Sequence, residues 1–349
     1  MMRVNITSSL PTDWGDWLVE QQGEAAFGQS SRWFEVNEIV NIASHYWVEV
    51  FRGSDRMAGG LFSYRRSAKG LQFSLPVRSG WLSCFEGPVF SPACSSEDVC
   101  QFLSAVKSLV GKVRARGVVF SGFPAASIWG GSIEISGVFR EFGYTETPYF
   151  TSLVDLSCGE MPLFDGLKRS VQKAIRRCIK DGITVTQCET FENFYSNFIV
   201  PYYEDNPDDA PTLEIMEKAW KLDREKYYHY FAAQDANEKT IATLGTYRFN
   251  GMATEIMSKR TRASFGLKAP VQDYLHWEVF KVHQSLGDTK FNLAGYSTSP
   301  ETKKEEGIRN FKVKWGGEEK SIPYFTRDYS SMLERGIVKL IKASISKLS

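Results

Sequence analysis

A chain of 349 residues is longer than one compact core usually serves, so two domains or one bilobal unit are expected. With 42 Lys and Arg against 41 Asp and Glu, the net charge of +1 excludes a global field that would draw the protein to nucleic acid or membrane, and any polyanion has to meet a local patch. Hydrophobic residues at 42% and charged residues at 24% are those of a globular protein, while an aromatic share of 14% suits strand-rich cores and surfaces that grip extended substrates.

The six cysteines (Cys84, Cys94, Cys100, Cys158, Cys178 and Cys188) form no CxxC pair of the kind a structural zinc asks for, and no bound metal is expected. Scattered thiols of this kind fit a reducing compartment. The opening MMRVNITSSLPTDWGDW has no apolar h-region, and no apolar run reaches spanning length. The expectation is a cytoplasmic, soluble protein without a transmembrane segment.

In chain order, a short helix is predicted over residues 14–22, followed by FGQSSRWFEV and then strands in YWVEVFRG, AGGLFSYRRS and LQFSLPV. Residues 96–117 read as an amphipathic helix: Ser95 or Ser96 caps it, Val99, Phe102, Leu103, Val106 and Leu109 or Val110 form its apolar stripe, and Gly117 ends it. The apolar VVFSGFP is a buried strand, residues 133–142 a second short helix, and YFTSLVDL a further strand. A similar order then recurs. LFDGLKRSVQKAIRRCIKDG is a basic amphipathic helix stopped by Gly182, ITVTQCE a strand, and FENFYSNFIVPYY and TLEIMEKAWKLDREKYYHY are helical. Asn250-Gly251 joins two strands in residues 239–260, the strongest hairpin signal in the chain. Residues 271–287 are helical, with Leu275, Val279 and Val282 or Leu286 on one stripe, and KFNLAG is a strand. In GIRNFKVKWGG, apolar Phe311, Val313 and Trp315 alternate with Lys312 and Lys314, which reads as a strand with one basic face. The tail over residues 330–348 is a helix. The recurrence suggests a duplicated α+β unit.

Five segments in this order, FGQSSRWFEV, EGPVF, LKRSVQKAIRRCIKDGITV, LHWEVFKVHQSLGDTKFNLAG and GIRNFKVKWGG, resemble the Fem family. Those are GNAT-like aminoacyltransferases that build peptidoglycan interpeptide bridges, and the wider FemAB-like acyltransferases share their architecture. The resemblance covers residues 27–317. It implies an α+β fold of two tandem GNAT-like (acyl-CoA N-acyltransferase-like) lobes with mixed sheets and a groove between them: residues 1–155, residues 156–330 carrying the catalytic segment, and a C-terminal helix over 331–349. The activity it implies is transfer of an aminoacyl or acyl group to an amine on a cell-wall or other nucleotide- or lipid-linked glycan precursor. Aminoacyl-tRNA or acyl-CoA would be the donor, and no cofactor would be bound permanently. Two departures are visible. Phe34, Glu35, Val36 and Asn37 follow Trp33 where some members place a lysine, and Glu86-Gly87-Pro88 stands for the family's Arg-Gly-Pro. Both remove positive charge where a precursor's phosphates would lie. They motivate a second reading, a non-catalytic module for glycans or nucleotide sugars; an acyl-CoA-dependent acetyltransferase of amino sugars or small amines is a further alternative.

The family's phenylalanine-lysine pair falls on Phe311 and Lys312, so the resemblance makes Lys312 the catalytic residue. An ammonium there stabilises the oxyanion formed when an amine attacks an ester or thioester, and Phe311 shapes the acyl pocket. Spacing alone favours solvated lysines on an edge strand, and the resemblance reverses that for Lys312 but not for Lys314. Arg169, Lys173, Arg176 and Lys180 step at four, three and four residues along one helix face. That row either tracks phosphates of tRNA, coenzyme A or a nucleotide-linked acceptor, or is a solvated face. Lys268, in SFGLKAP before a helix N-terminus, is placed to meet a pyrophosphate, although the Gly-x-Gly of acyl-CoA users is absent. Tyr202, Tyr203 and Tyr296 complete the candidate substrate-binding set. His45, His229, His276 and His283 show no metal or triad spacing, and no general base is assigned.

Overall fold

The computed structural model describes residues 1–21, 26–41, 43–65, 78, 80–122, 135–223, 227–267, 270–331 and 334. The expected strand in LQFSLPV lies outside them, as does the expected C-terminal helix apart from Ser331 and Glu334. Two compact units result: Met1–Pro148 with the described part of Ile322–Ser349, and Tyr149–Ser321.

The first unit contains β1 (Met2–Thr7), α1 (Trp14–Gln21), α2 (Ser31–Asn41), β2 (Ser44–Arg52), β3 (Asp55–Arg65), β4 (Trp81–Phe85), β5 (Val89–Phe90), α3 (Ser96–Val113), β6 (Gly117–Ser121), α4 (Ile135–Glu141) and β7 (Thr145–Thr147). The last strand among the described residues, Tyr324–Asp328, slots between β6 and β7, so its sheet runs β1-β2-β3-β4-β6, Tyr324–Asp328, β7, with β5 on β3. The long helix forms where periodicity placed it. Ser95 and Asp98 make a reciprocal capping box, and Val99, Phe102, Leu103, Val106, Leu109 and Val110 are buried against Val48, Phe62 and Phe120 of the sheet. Each such side chain contributes about 1.5–3 kcal/mol by leaving water.

The second unit contains β8 (Tyr149–Asp155), α5 (Glu160–Gly166), α6 (Arg169–Lys180), β9 (Thr184–Gln187), α7 (Phe191–Phe194), a π-helical turn (Tyr195–Ile199), α8 (Val200–Tyr202), α9 (Leu213–Asp223), β10 (Tyr228–Gln234), β11 (Thr240–Phe249), β12 (Met252–Arg260), α10 (Val271–Ser285), β13 (Lys290–Ser297), α11 (Lys303–Val313) and β14 (Glu318–Ser321). Its sheet runs β14-β8-β13-β12-β11-β10-β9. Asn250 (φ 50°) and Gly251 (φ 77°) both take the left-handed conformation that a tight hairpin between β11 and β12 requires. Helices α6 and α10 cover the sheet, with Val171, Ile175 and Cys178 packed among Leu275, Val279, Phe280 and Phe291.

Several elements differ from the sequence expectation. The strand YFTSLVDL, read as closing the first half, pairs with β13 and β14 inside the second sheet. The helix expected over residues 163–182 is two helices broken at Leu167, whose backbone is extended; the Gln172 amide bridges the break, donating to the carbonyls of Phe164 and Leu167 at 3.0 and 3.2 Å. In YYHY, Tyr228, His229 and Tyr230 open β10 rather than ending a helix. The basic strand expected over residues 309–317 is instead the end of α11. Thr302 and Glu305 cap that helix reciprocally, and its alternating pattern conceals helical spacing, since Phe311, Lys312 and Trp315 turn inward together. The glycine pair acts on the exit: Gly316 (φ 73°) leaves the helix in the left-handed region, and Gly317 passes so close to β8 that a Cβ would lie 2.6 Å from the Leu153 carbonyl oxygen.

Candidate functional site

Among the described residues each sheet has one parallel pair, and the two differ. In the first unit β4 and β6 pair in register over all five residues, Trp81↔Gly117 to Phe85↔Ser121. In the second, β12 and β13 pair only over Met252↔Lys290, Ala253↔Phe291 and Thr254↔Asn292, although both strands run on. Each strand is irregular just past that point. β12 has a bulge between Glu255 and Met257 against β11, and β13 shifts register against β8 around Ala294, which stands at φ 58°. Asn292 fixes the second bulge, its Oδ1 accepting the Ala294 N–H at 2.8 Å.

Side chains with ionisable groups converge where this pairing stops. Lys312, from the last turn of α11, is 8% exposed and donates from Nζ to the Gly295 carbonyl at 3.0 Å. Burial lowers its pKa from the ordinary lysine value, and the charge of Glu255 partly opposes that. Glu255 is the first β12 residue beyond the parallel pairing, and its Oε2 lies 3.2 Å from Nε2 of His276 on α10. Burial works against the Glu255 charge, but hydrogen bonds from His276 and Ser258 and the positive charges of His276 and Lys312 hold its pKa below the usual carboxylate range. His276 is fully buried, its ring centroid 4.8 Å from Phe311 and 5.9 Å from Trp315. Lys314 is held apart, 2.5 Å from Asp273 and over the Phe311 ring at 4.2 Å. Tyr202 is half-buried, its ring stacked on Phe198, and burial followed by the Glu255 charge raises its pKa.

The structure thus joins Lys312 and Phe311 to the second-unit sheet, but on a helix and pointing inward rather than on a basic strand face. Tyr203 packs edge-on against Tyr202 at 5.0 Å. The Tyr296 hydroxyl is committed to Glu319, which ties β13 to β14. Arg169, Lys173, Arg176 and Lys180 are all exposed on α6, with Arg176 over the Phe164 ring at 5.3 Å. Among the described residues no hydrogen bond or ion pair links them to Lys312, and Lys268 lies outside the described residues. Glu255 and His276 were missed as a pair. The available signal was a lone carboxylate in the otherwise uncharged stretch MATEIM. In the first unit, Glu86 replaces the expected arginine for a structural reason: it is buried and its Oε2 accepts the Gly28 N–H at 2.9 Å. Among the described residues no group of three or more His, Cys, Asp or Glu side chains is placed to hold a metal ion, and no helix is long and apolar enough to cross a membrane. All six cysteines are free.

No family model and no curated protein matches the sequence. Among solved structures, the chain is similar to FemX, with a TM-score of 0.68 at 11% identity, covering 97% of this chain and 99% of that one. A tandem GNAT protein from the clavulanic acid biosynthesis pathway gives a TM-score of 0.60 at 10% identity, covering 94% of this chain and 98% of that one. L-PGS from Bacillus licheniformis gives 0.55 at 14% identity, covering 94% and 95%. The fold is a Fem-like, tandem GNAT-type α+β fold, as the resemblance implied.

Proposed function

We propose that the protein is an N-acyltransferase that moves an aminoacyl or acyl group from an ester or thioester donor to an amine, with the chemistry in the second unit. The observation that carries this reading is the Lys312 ammonium, buried in the fold where β12 and β13 stop pairing. A cation held in a water-poor site and committed to a single carbonyl has donors left for an oxyanion. The amine attacks the carbonyl carbon, the carbonyl electron pair moves to oxygen beside Lys312, and collapse expels the alcohol or thiol of the donor. Phe311, which flanks His276, and the half-buried Tyr202 and Tyr203 supply apolar walls for the transferred group.

The donor we favour is an aminoacyl ester on tRNA, with an amine on a cell-wall or other nucleotide- or lipid-linked glycan precursor as acceptor. Two features support an ester over an ordinary coenzyme A thioester. The first turn of α10 carries Asp273, which with Lys314 already occupies the positive end of that helix. The exposed cations Arg169, Lys173, Arg176 and Lys180 form a row that suits a long phosphate chain. The test is to offer the protein a charged tRNA pool or an acyl-CoA panel with amine acceptors, and to follow amide formation by mass spectrometry. We expect amide from charged tRNA, abolished by RNase. Amide from acyl-CoA that is insensitive to RNase would overturn the tRNA donor, and no amide from either class would overturn the acyltransferase reading.

A further inference from the structure

His276 is placed between a backbone carbonyl, which can only accept a hydrogen bond, and a carboxyl group, which only accepts when ionised. Its Nδ1 lies 2.8 Å from the Gln272 backbone carbonyl, and its Nε2 lies 3.2 Å from the Glu255 carboxyl. A carbonyl has no proton to give, so Nδ1 carries one. A neutral ring would then turn the Nε2 lone pair towards a carboxylate, with no proton between them. The ring is fully buried, and among the described residues no second partner faces Nε2, so the proton count requires one more hydrogen in this pair than an ordinary neutral histidine beside an ionised carboxylate would hold. The surroundings suit the charged ring. Trp315 lies against it at an interplanar angle of 28°, and its π face attracts a cation.

We propose that His276 is a resident imidazolium, ion-paired with the Glu255 carboxylate, and that this pair is a proton store acting on the leaving group at the Lys312 site. The groups facing it are Lys312 from α11, Ser258 on β12 and Tyr202 from α8, while the carboxylates flanking it on α10, Asp273 and Glu278, are engaged by Lys314 and Lys281. The pair is neutral overall, so the site keeps the single positive charge of Lys312. His276 is inaccessible and is a positioning residue. Glu255 has 11% of its side chain exposed and is the member that meets substrate.

The catalytic part rests on the acyltransferase reading above. The amine nitrogen forms its bond to the carbonyl carbon, and the carbonyl pair moves to oxygen. As the carbon–oxygen bond of the donor ester breaks, its electron pair goes to the departing oxygen, which takes a proton through Glu255 from His276. The proton shed by the new amide nitrogen returns through Glu255 and restores the imidazolium. Protons balance, and no other reactant is needed.

The chain has only four histidines, so nitrogen-15 labelling of histidine gives a simple spectrum. The His276 signals are identified by their loss in His276→Asn or, should that variant not fold, by elimination with substitutions at the other three. We expect both ring nitrogens of His276 protonated at pH 8, where an ordinary histidine of pKa about 6.5 is neutral, and a single protonated nitrogen at pH 8 in Glu255→Gln. A bare nitrogen on His276 at pH 8 in the unaltered protein overturns the proposal, as does an imidazolium that persists in Glu255→Gln. The spectrum is read on the resting protein, so it answers independently of whether any acyl transfer is found. In an assay that detects amide, Glu255→Gln is expected to lower turnover about a hundredfold; an unchanged rate overturns the leaving-group role.

Discussion

An ammonium and a carboxylate taken out of water are costly unless their partners are in place, and the two buried ions that depart from expectation here have different partners. Glu86 serves the backbone of its own unit. Replacing it with Ala removes the acceptor of the Gly28 N–H and is expected to cost about 1–3 kcal/mol, while Gln, which keeps an acceptor oxygen, costs less. Urea midpoints of the two variants check this, and equal midpoints would contradict it. Lys312 has one carbonyl and the charge of Glu255. Its charge contributes little to stability for its degree of burial, which fits a residue kept for chemistry. Gly317 is constrained more simply, because a methyl group there would meet the β8 backbone. Gly317→Ala is expected to displace β14 and lower the melting temperature.

At the scale of elements, α11 carries the site and its start is set by two residues. Thr302→Ala removes the cap that accepts the Glu305 N–H at 3.2 Å and is expected to cost about 1 kcal/mol, with turnover falling as the helix end frays. Hydrogen exchange localised to α11 checks it, and unchanged protection there would contradict it. The same helix shows where sequence reasoning stops. Residues 96–113 and the Asn250-Gly251 hairpin are legible because local signals agree: cap, apolar stripe and left-handed turn residues all point one way. In residues 307–317 the period-two pattern of Phe311, Val313 and Trp315 competes with a capping box that begins five residues earlier, and the cap prevails. YYHY suffered the opposite error, since the helix signal of α9 was carried over into residues whose aromatics belong to β10. Lys312 was reached through the family resemblance. Its partners were not legible, because Glu255 and His276 lie 21 positions apart and meet only when β12 pairs with its neighbours and α10 lies over the sheet. A second buried assembly, in which His283 bonds Asp288 at 2.9 Å and Thr246 at 2.9 Å beside His229, was equally hidden.

For the molecule as a whole, those histidines set the response to acid. Burial lowers the His229 pKa to about 4 from the ordinary 6.5, and burial likewise lowers His45 to about 4. Between these values the unfolded chain binds protons that the folded chain refuses. Stability is therefore fully present above about pH 6.5 and falls as pH drops towards 4, by up to about 3 kcal/mol for His229. Chemical denaturation at pH 7.5 and pH 5 checks this, and equal stabilities would contradict it. The near-zero net charge and the local row on α6 together predict that any binding of polyanion weakens steeply with salt, and that charge reversal at Lys173 and Arg176 flattens that dependence. The two sheets differ: the first closes its parallel pair over five residues, and the second leaves its own open beside a buried ammonium. The most direct measurement is the rate of amide formation by Lys312→Met, with folding verified by its melting curve. Loss of roughly two to three orders of magnitude in turnover is expected for removal of an oxyanion donor, and a folded variant that works at the unaltered rate would contradict the account.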